Sequence, residues 1–270
     1  MSKEILILSG GGIKGIAHLG ALKILEEKNI LKNIKTFVGS SIGSLICCLI
    51  NVGYNVDELY DFFDLLDFNV LMNKKFKIKN LITNFGFDSG KKLNYLILSL
   101  FKDKNYDDPT FNDLFIKTKC KLIITTTCVN DKKPVYFSVD NYPNMKISLC
   151  LLMSMAIPIY FTPILFENKY YIDGSCIDHY PIDLFEDTTK VIGIYLLDKY
   201  PNSKIEDIIG FLIGTYESLI VGSTRNIFPP KTTIKIPVKN ISVIDFSITK
   251  EIKMKLFKLG KRYTEKFLIL

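Results

Sequence analysis

Glu4-Ile5-Leu6-Ile7-Leu8 runs straight into Ser9-Gly10-Gly11-Gly12-Ile13-Lys14-Gly15, an apolar strand that ends in a glycine-rich turn. A helical pattern over residues 15–28 follows. The unit then repeats: a second strand over residues 35–38 ends in Gly39-Ser40-Ser41-Ile42-Gly43, and a helix over residues 42–52 leaves from it. In that helix Ile42, Leu45, Ile46, Leu49 and Ile50 recur at helical spacing, so one face packs against a sheet. Strands and helices alternating at this interval predict an α/β fold with a parallel sheet covered by helices.

Further along, helical patterns cover residues 56–66, 91–101 and 146–156, and strand patterns cover 121–129, 135–139 and 191–197. Between the first two helices, residues 69–90 form the least regular stretch of this half. Residues 164–166 and 170–172 flank a polar Glu167-Asn168-Lys169 turn, as in a hairpin. A closing helix over residues 250–268, capped by Ser247 or Thr249, carries Ile252, Leu256, Leu259, Tyr263 and Phe267 on one face. Its basic residues Lys253, Lys255, Lys258, Lys261 and Arg262 read as a solvated face. No linker, repeat or low-complexity tract divides the chain, so residues 1–270 read as a single domain.

The 270 residues are 48% hydrophobic, enough for one well-buried core. Lysine and arginine outnumber aspartate and glutamate 35 to 28, a formal net charge of +7 that favours anionic partners. Cys47, Cys48, Cys120, Cys128, Cys150 and Cys176 show neither a CxxC pair nor zinc-ligand spacing and read as buried thiols of a reducing compartment. Met1-Ser2-Lys3-Glu4 is too short for a signal peptide, which predicts an intracellular, cytoplasmic protein. Residues 145–166 are nearly all apolar, but Pro158 and Pro163 interrupt them; residues 208–221 are short and carry Glu217. Both read as buried elements and not as membrane spans.

A strand-to-helix turn forces its central residue into a strained backbone, and the flanking positions must be small for strand and helix to approach. Gly39 and Gly43 meet that need, which makes Ser41 the candidate nucleophile. It would stand at a helix N-terminus, where free backbone donors and the helix dipole favour a developing anion. Ser40 and Ser44 lack the central position. Gly10, Gly12 and Gly15 also fit the dinucleotide fingerprint GxGxxG, but that motif needs an acidic residue at the end of the second strand, and this one ends in Val38-Gly39-Ser40. A P-loop is excluded because Ile16 follows Gly15. Bare glycine amides beside a nucleophile stabilise the tetrahedral intermediate of acyl transfer, with Gly11 and Gly12 as candidate donors. Lys14 either adds positive charge there or is solvated.

The chain has only two histidines, His18 and His179. His18 lies in the first turn of the first helix and reads as structural. Ser41, Asp173 and His179 follow the chain order Ser, Asp, His of α/β-hydrolases, although a step of six positions from acid to histidine is a very short loop for a triad. Asp173 has the better context. It ends the apolar strand Tyr170-Tyr171-Ile172 and precedes Gly174, so burial can raise its pKa and make it a serviceable base. Asp178, Asp183 and Asp187 have less apolar surroundings.

These residues together resemble the patatin-like phospholipase family. The likeness rests on the glycine run from Gly10 to Gly15, the elbow around Ser41 and the pair Asp173-Gly174, in matching order. It extends to Ala17-His18-Leu19-Gly20-Ala21-Leu22, to Ser154-Met155-Ala156-Ile157-Pro158 with Phe161 and Pro163, and to Gly260 and Tyr263. The resemblance implies a three-layer α/β/α domain with a mainly parallel central sheet. It also implies a Ser41-Asp173 dyad that hydrolyses lipid acyl esters without calcium, metal or cofactor, with Gly11 and Gly12 in the oxyanion hole. Scarce histidine then fits, because a dyad needs none. Two positions depart from the family pattern: Ser175 stands where a glycine or alanine is usual, and Asp178 where an asparagine is frequent. With His179 beside Asp178, this leaves room for His179 as an auxiliary.

The expected partner is a phospholipid or other acyl-ester lipid at a peripheral membrane surface. Residues 74–79, in which Phe76 and Ile78 alternate with lysines, are the candidate contact. No motif supports nucleic-acid binding. Two other readings stay open on the residues alone: a nucleotide-binding module using the Gly10 to Gly15 loop, and a catalytically silent lipid binder of the same fold.

Overall fold

The computed structural model describes residues 2–71, 78–199, 205–206, 208–225, 227–239, 241 and 248–269. The first half holds β1 (Ile5–Leu8), α1 (Ile16–Glu27), β2 (Thr36–Ser40), α2 (Ile42–Asn51), α3 (Val56–Leu65), α4 (Phe68–Leu71), α5 (Ile78–Asn84), β3 (Gly86–Asp88), α6 (Lys91–Asp103) and α7 (Phe111–Thr118). The second half holds β4 (Lys121–Cys128), β5 (Lys133–Phe137), α8 (Ile147–Ser154), β6 (Ile159–Phe161), β7 (Ile164–Phe166) and β8 (Lys169–Asp173). It closes with β9 (Val191–Lys199), α9 (Ile208–Thr224), β10 (Thr233–Lys239) and α10 (Lys250–Ile269).

The main sheet has the order β10-β9-β1-β2-β4-β8-β7, with β5 also on β4, and its first five strands are parallel. The protein is thus an α/β fold with a mainly parallel central sheet, as its alternating pattern predicts. β1 is buried on both faces, which is why it reads as an unbroken apolar run. Leu6 and Leu8 join the core shared with α1 and α2, while Ile7 points the other way, to Val38, Tyr180 and Ile182. Each such side chain, fully buried, contributes about 1.5–3 kcal/mol. On the helical side α1 crosses α10 in close contact. A Cβ at Gly20 would strike the carbonyl of Phe257, and one at Gly260 that of Ala17.

β4 organises the end of the sheet that matters for function. Gly39 and Phe137 both pair with Ile124, and Val135 and Asp173 both pair with Thr126. β5 therefore takes one edge of β4, while β2 and β8 share the other. β2 ends with Ser40 beside Thr125, and antiparallel β8 arrives with Asp173 beside Thr126. The two strands meet end to end, which brings Ser41 to Asp173 across 132 residues of chain. The β7–β8 hairpin turns on Glu167 and Asn168 alone, both at positive φ, since Phe166 already pairs with Lys169.

Several expectations need correction. The stretch 69–90 is not irregular throughout, since it contributes α4, α5 and β3; residues 72–77, and with them most of the basic-apolar stretch 74–79, lie outside the described residues, as does Ser247. Thr249 caps α10, its Oγ1 accepting the Ile252 N–H at 3.3 Å. α7 went unread although Thr110 and Asp113 form a reciprocal capping box at its start. β10 went unread because Pro237 interrupts its alternation; an edge strand tolerates that proline. The tract 208–221 is not buried throughout: α9 hides Tyr216, Glu217 and Ile220 but exposes Ile208, Phe211 and Leu219. Lys253 is not solvated but 5% exposed. Four cysteines are buried, whereas Cys120 and Cys176 are half-buried. Among the described residues no helix is long and apolar enough to cross a membrane.

Candidate active site

Ser41 is the joint between β2 and α2, with φ 53° and ψ −125°. A non-glycine residue held there costs on the order of 1–3 kcal/mol and needs surroundings that fix it. Gly39 and Gly43 are part of that constraint. A Cβ on Gly39 would strike the backbone of Gly43 and Ser44, and one on Gly43 the carbonyls of Leu8 and Ser9. Ser154, at the end of α8, supplies the rest. Its Oγ donates to the Thr125 carbonyl at 2.6 Å, accepts the Ser41 N–H at 3.0 Å and lies 3.0 Å from Ser44 Oγ. Sequence reading placed Ser154 in a family block without a role; three polar partners converging on one buried hydroxyl supply one.

Ser41 Oγ donates to Asp173 Oδ2 at 2.6 Å, and Asp173 Oδ1 accepts the Ser175 N–H at 2.8 Å. Asp173 is fully buried. Burial lifts its carboxyl from the ordinary 3.8 to about 6, against the pull of hydrogen bonds from Ser41, Ser175 and Tyr216. The group is still ionised at neutral pH, yet it is more basic than an exposed aspartate.

The glycine run turns beneath Ser41. Gly11 and Gly12 take φ of 153° and 54°, and Gly12–Gly15 form one turn of 3₁₀ helix. The leading N–H groups of such a turn have no carbonyl within it to bond. Gly12 and Ile13 line the same cavity as Ser41. Gly11 sits one residue back against Leu196, Gly10 against Ser175 and His179, Gly15 against Ile42, and Gly174 against the Thr125 carbonyl. Lys14 is 1% exposed, which removes the solvated alternative.

Neither histidine stands between Ser41 and Asp173, whose contact is direct. His18 is buried in α1 with Nε2 2.9 Å from the Ser9 carbonyl. His179 lies behind Gly10, whose N–H its carbonyl accepts at 3.0 Å, and its ring stands edge-on to Tyr195. Asp178 accepts from the Tyr136 hydroxyl at 2.7 Å, and its carboxyl is pushed up chiefly by burial.

Beside Ser41 lies an apolar cavity of about 70 Å³. α2 gives it Ile42 and Leu45, α3 gives Phe62 and Phe63, and α6 gives Leu93 and Leu96. Leu66, Phe68, Met155, Ile157 and Phe161 complete the wall. Sequence reading did not find this cavity, because apolar helix faces that line a void look the same as faces that fill a core. A hydroxyl hydrogen-bonded to a buried carboxylate, a glycine turn and an apolar slot, brought to one place, are together suited to acyl transfer from an ester with a hydrocarbon chain.

The sequence profile of the family described as patatin-like phospholipase matches residues 6–186, and the chain belongs to that family. Among relatives, it is 37% identical over 192 residues to the uncharacterized protein R571 of Acanthamoeba polyphaga mimivirus, covering 70% of this chain and 64% of that protein. It is 36% identical over 185 residues to the probable lipid hydrolase 463L of Invertebrate iridescent virus 6, covering 67% and 62%. The match thus spans under two thirds of either relative. Among solved structures, VipD from Legionella pneumophila superimposes with a TM-score of 0.71 at 17% identity, over 100% of this chain and 67% of that one, a likeness of fold.

Proposed function

We propose that the protein is a lipid acyl hydrolase of the phospholipase A type. It cleaves acyl esters of phospholipids or lysophospholipids through Ser41 and Asp173. The observation that carries this reading is the 2.6 Å contact from Ser41 Oγ to Asp173 Oδ2, made beside an apolar cavity. Asp173 takes the hydroxyl proton as Oγ attacks the ester carbonyl carbon. The resulting oxyanion is held by the amides of Gly11 and Gly12, where one donor is worth about 2.7–4 kcal/mol in the transition state. Collapse of this intermediate expels the lipid alcohol, which takes the proton back from Asp173. Water then attacks acyl-Ser41, giving its proton to Asp173, and the fatty acid leaves as Oγ is reprotonated. Every group in these steps belongs to the chain, so the reading requires neither calcium nor a cofactor.

We also read residues 1–270 as one catalytic unit, because β9, β10 and α10, beyond residue 186, complete the sheet and the helix layer. The substrate lies in a membrane or lipid aggregate, which the protein visits from outside. Fluorophosphonate labelling followed by a phospholipid panel tests the proposal. Label should attach at Ser41, and Ser41→Ala and Asp173→Ala should each abolish hydrolysis with the fold intact, in EDTA as without it. Full activity in Asp173→Ala would overturn the dyad.

A further inference from the structure

The face around the cavity is apolar on its outside as well as its inside. More than half of the large apolar side chains exposed among the described residues fall in two tracts, residues 65–95 and 205–221. In the first, Leu65, Ile82 and Tyr95 are 80%, 71% and 74% exposed; in the second, Ile208, Phe211 and Leu219 are 65%, 53% and 48% exposed. The tracts adjoin through the cavity wall. Phe161 of β6 lines the cavity and packs in one cluster with Tyr216 and Ile220 of α9. β6 pairs with β3, and β3 joins α5 to α6. Lys92 Nζ donates to the Val70 carbonyl at 2.9 Å, tying α6 to α4. Phe68 of α4, Leu93 and Leu96 of α6 and Phe161 of β6 thus line one side of the slot that reaches Ser41, with α9 and β3 packed against β6.

The exposed charges of this face lean positive among the described residues: Lys79, Lys91 and Lys92 are exposed against Asp67 and Glu206, and Asp88 is buried. On α6 the division is clear: Leu93 and Leu96 face the cavity while Lys91, Lys92 and Tyr95 face outward. Contiguous apolar patches mark interaction sites, and apolar side chains ringed by lysines are complementary to a layer with a hydrocarbon interior and anionic headgroups.

We propose that this face docks on an anionic phospholipid surface. Lys79 and Lys91 meet the headgroups, while Ile208, Phe211 and Tyr95 enter the boundary between headgroups and acyl chains. The inference rests on the lipid-hydrolase reading and sets the cavity against the layer that supplies its acyl chain.

The test is vesicle flotation with full-length Ser41→Ala protein, so that binding is read without chemistry. Vesicles of phosphatidylcholine alone are compared with vesicles containing phosphatidylserine. The serine-lipid vesicles should bind at least tenfold better, and the advantage should vanish in high salt. Lys79→Glu with Lys91→Glu should cost on the order of 30-fold on those vesicles. Phe211→Ser should weaken binding to both kinds. In the Ser41 parent these substitutions should leave hydrolysis of a water-soluble short-chain ester within about twofold, a readout that belongs to the dyad and fails separately if the dyad reading is wrong. Equal binding by parent and variants, no preference for the anionic vesicles, or no binding to either would overturn the proposal. So would a solution dimer that Phe211→Ser dissolves, which would assign the face to a second copy.

Discussion

Lys253 Nζ donates to the carbonyl of Leu66 at 2.7 Å, tying α10 to a residue that lines the cavity. The same ammonium donates to the Asp64 carbonyl at 2.8 Å and lies 5.3 Å from the Phe68 ring centre, while Lys250 pairs with the Asp64 carboxylate at 3.0 Å. The last carbonyls of α3 thus receive the donor that their own helix cannot provide.

Lys253→Met keeps the apolar stem and removes the donor, leaving two carbonyls without it. Chemical denaturation should show a loss of about 2–4 kcal/mol. Selectivity should change too, because Leu66 and Phe68 are free to shift: KM for long-chain esters should rise more than KM for short ones, and Lys253→Arg should restore part of the difference. An unchanged chain-length profile would separate this clamp from the cavity.

The pH dependence follows from Asp173. The proposed mechanism uses its base form, so hydrolysis should rise with pH through about 6 and then level off. Stability runs the opposite way. The folded pKa, about 6, lies above the ordinary 3.8, so the native state binds the proton more tightly than the unfolded chain does. The cost of keeping the carboxylate buried is absent below pH 3.8, grows between 3.8 and 6, and is complete above 6, at about 3 kcal/mol. Asp173→Asn should therefore be inactive yet melt at a higher temperature than the parent at pH 7, with the gain gone near pH 4. Calorimetry at the two pH values checks the sign, and an Asn variant less stable at pH 7 would refute it.

How much of this could be read beforehand depends on how local each cause is. Ser41 is conspicuous because a turn that sharp requires Gly39 and Gly43 at fixed offsets, and Asp173 because an apolar strand ends on it before Gly174. Their meeting is not local: it follows from β2 and β8 sharing one edge of β4, and no sequence window contains both strands. Lys253 looked like one more lysine on a basic helix, since the carbonyls it bonds lie 187 and 189 residues away. α9 misled for another reason. A helix apolar on every side gives no periodic sign of which face is covered.

The direct contact between Ser41 and Asp173 separates a dyad from a triad by experiment. A triad histidine removed costs on the order of 10⁶-fold in kcat. His179→Gln, which retains much of the ring volume behind Gly10, should cost less than tenfold, with a lower melting temperature as its main effect. A loss of several thousandfold in a folded His179→Gln protein would restore the histidine to the mechanism.

Ser154 offers the sharpest check on the elbow itself. Its Oγ holds the Ser41 N–H at 3.0 Å while bonding the Thr125 carbonyl at 2.6 Å, so it fixes Ser41 to β4, the strand against which β8 holds Asp173. Ser154→Ala leaves Ser41 and Asp173 present but frees the turn between them. The Thr125 carbonyl loses its donor, costing about 1–3 kcal/mol of stability. Misplacing a nucleophile by about 1 Å can cost roughly 100-fold, so kcat should fall on the order of 10- to 100-fold while KM for a short ester stays put. Fluorophosphonate labelling of Ser41 should slow by a similar factor. A purely structural Ser154 would lower stability without slowing the labelling of the folded fraction, and that result would detach it from the nucleophile.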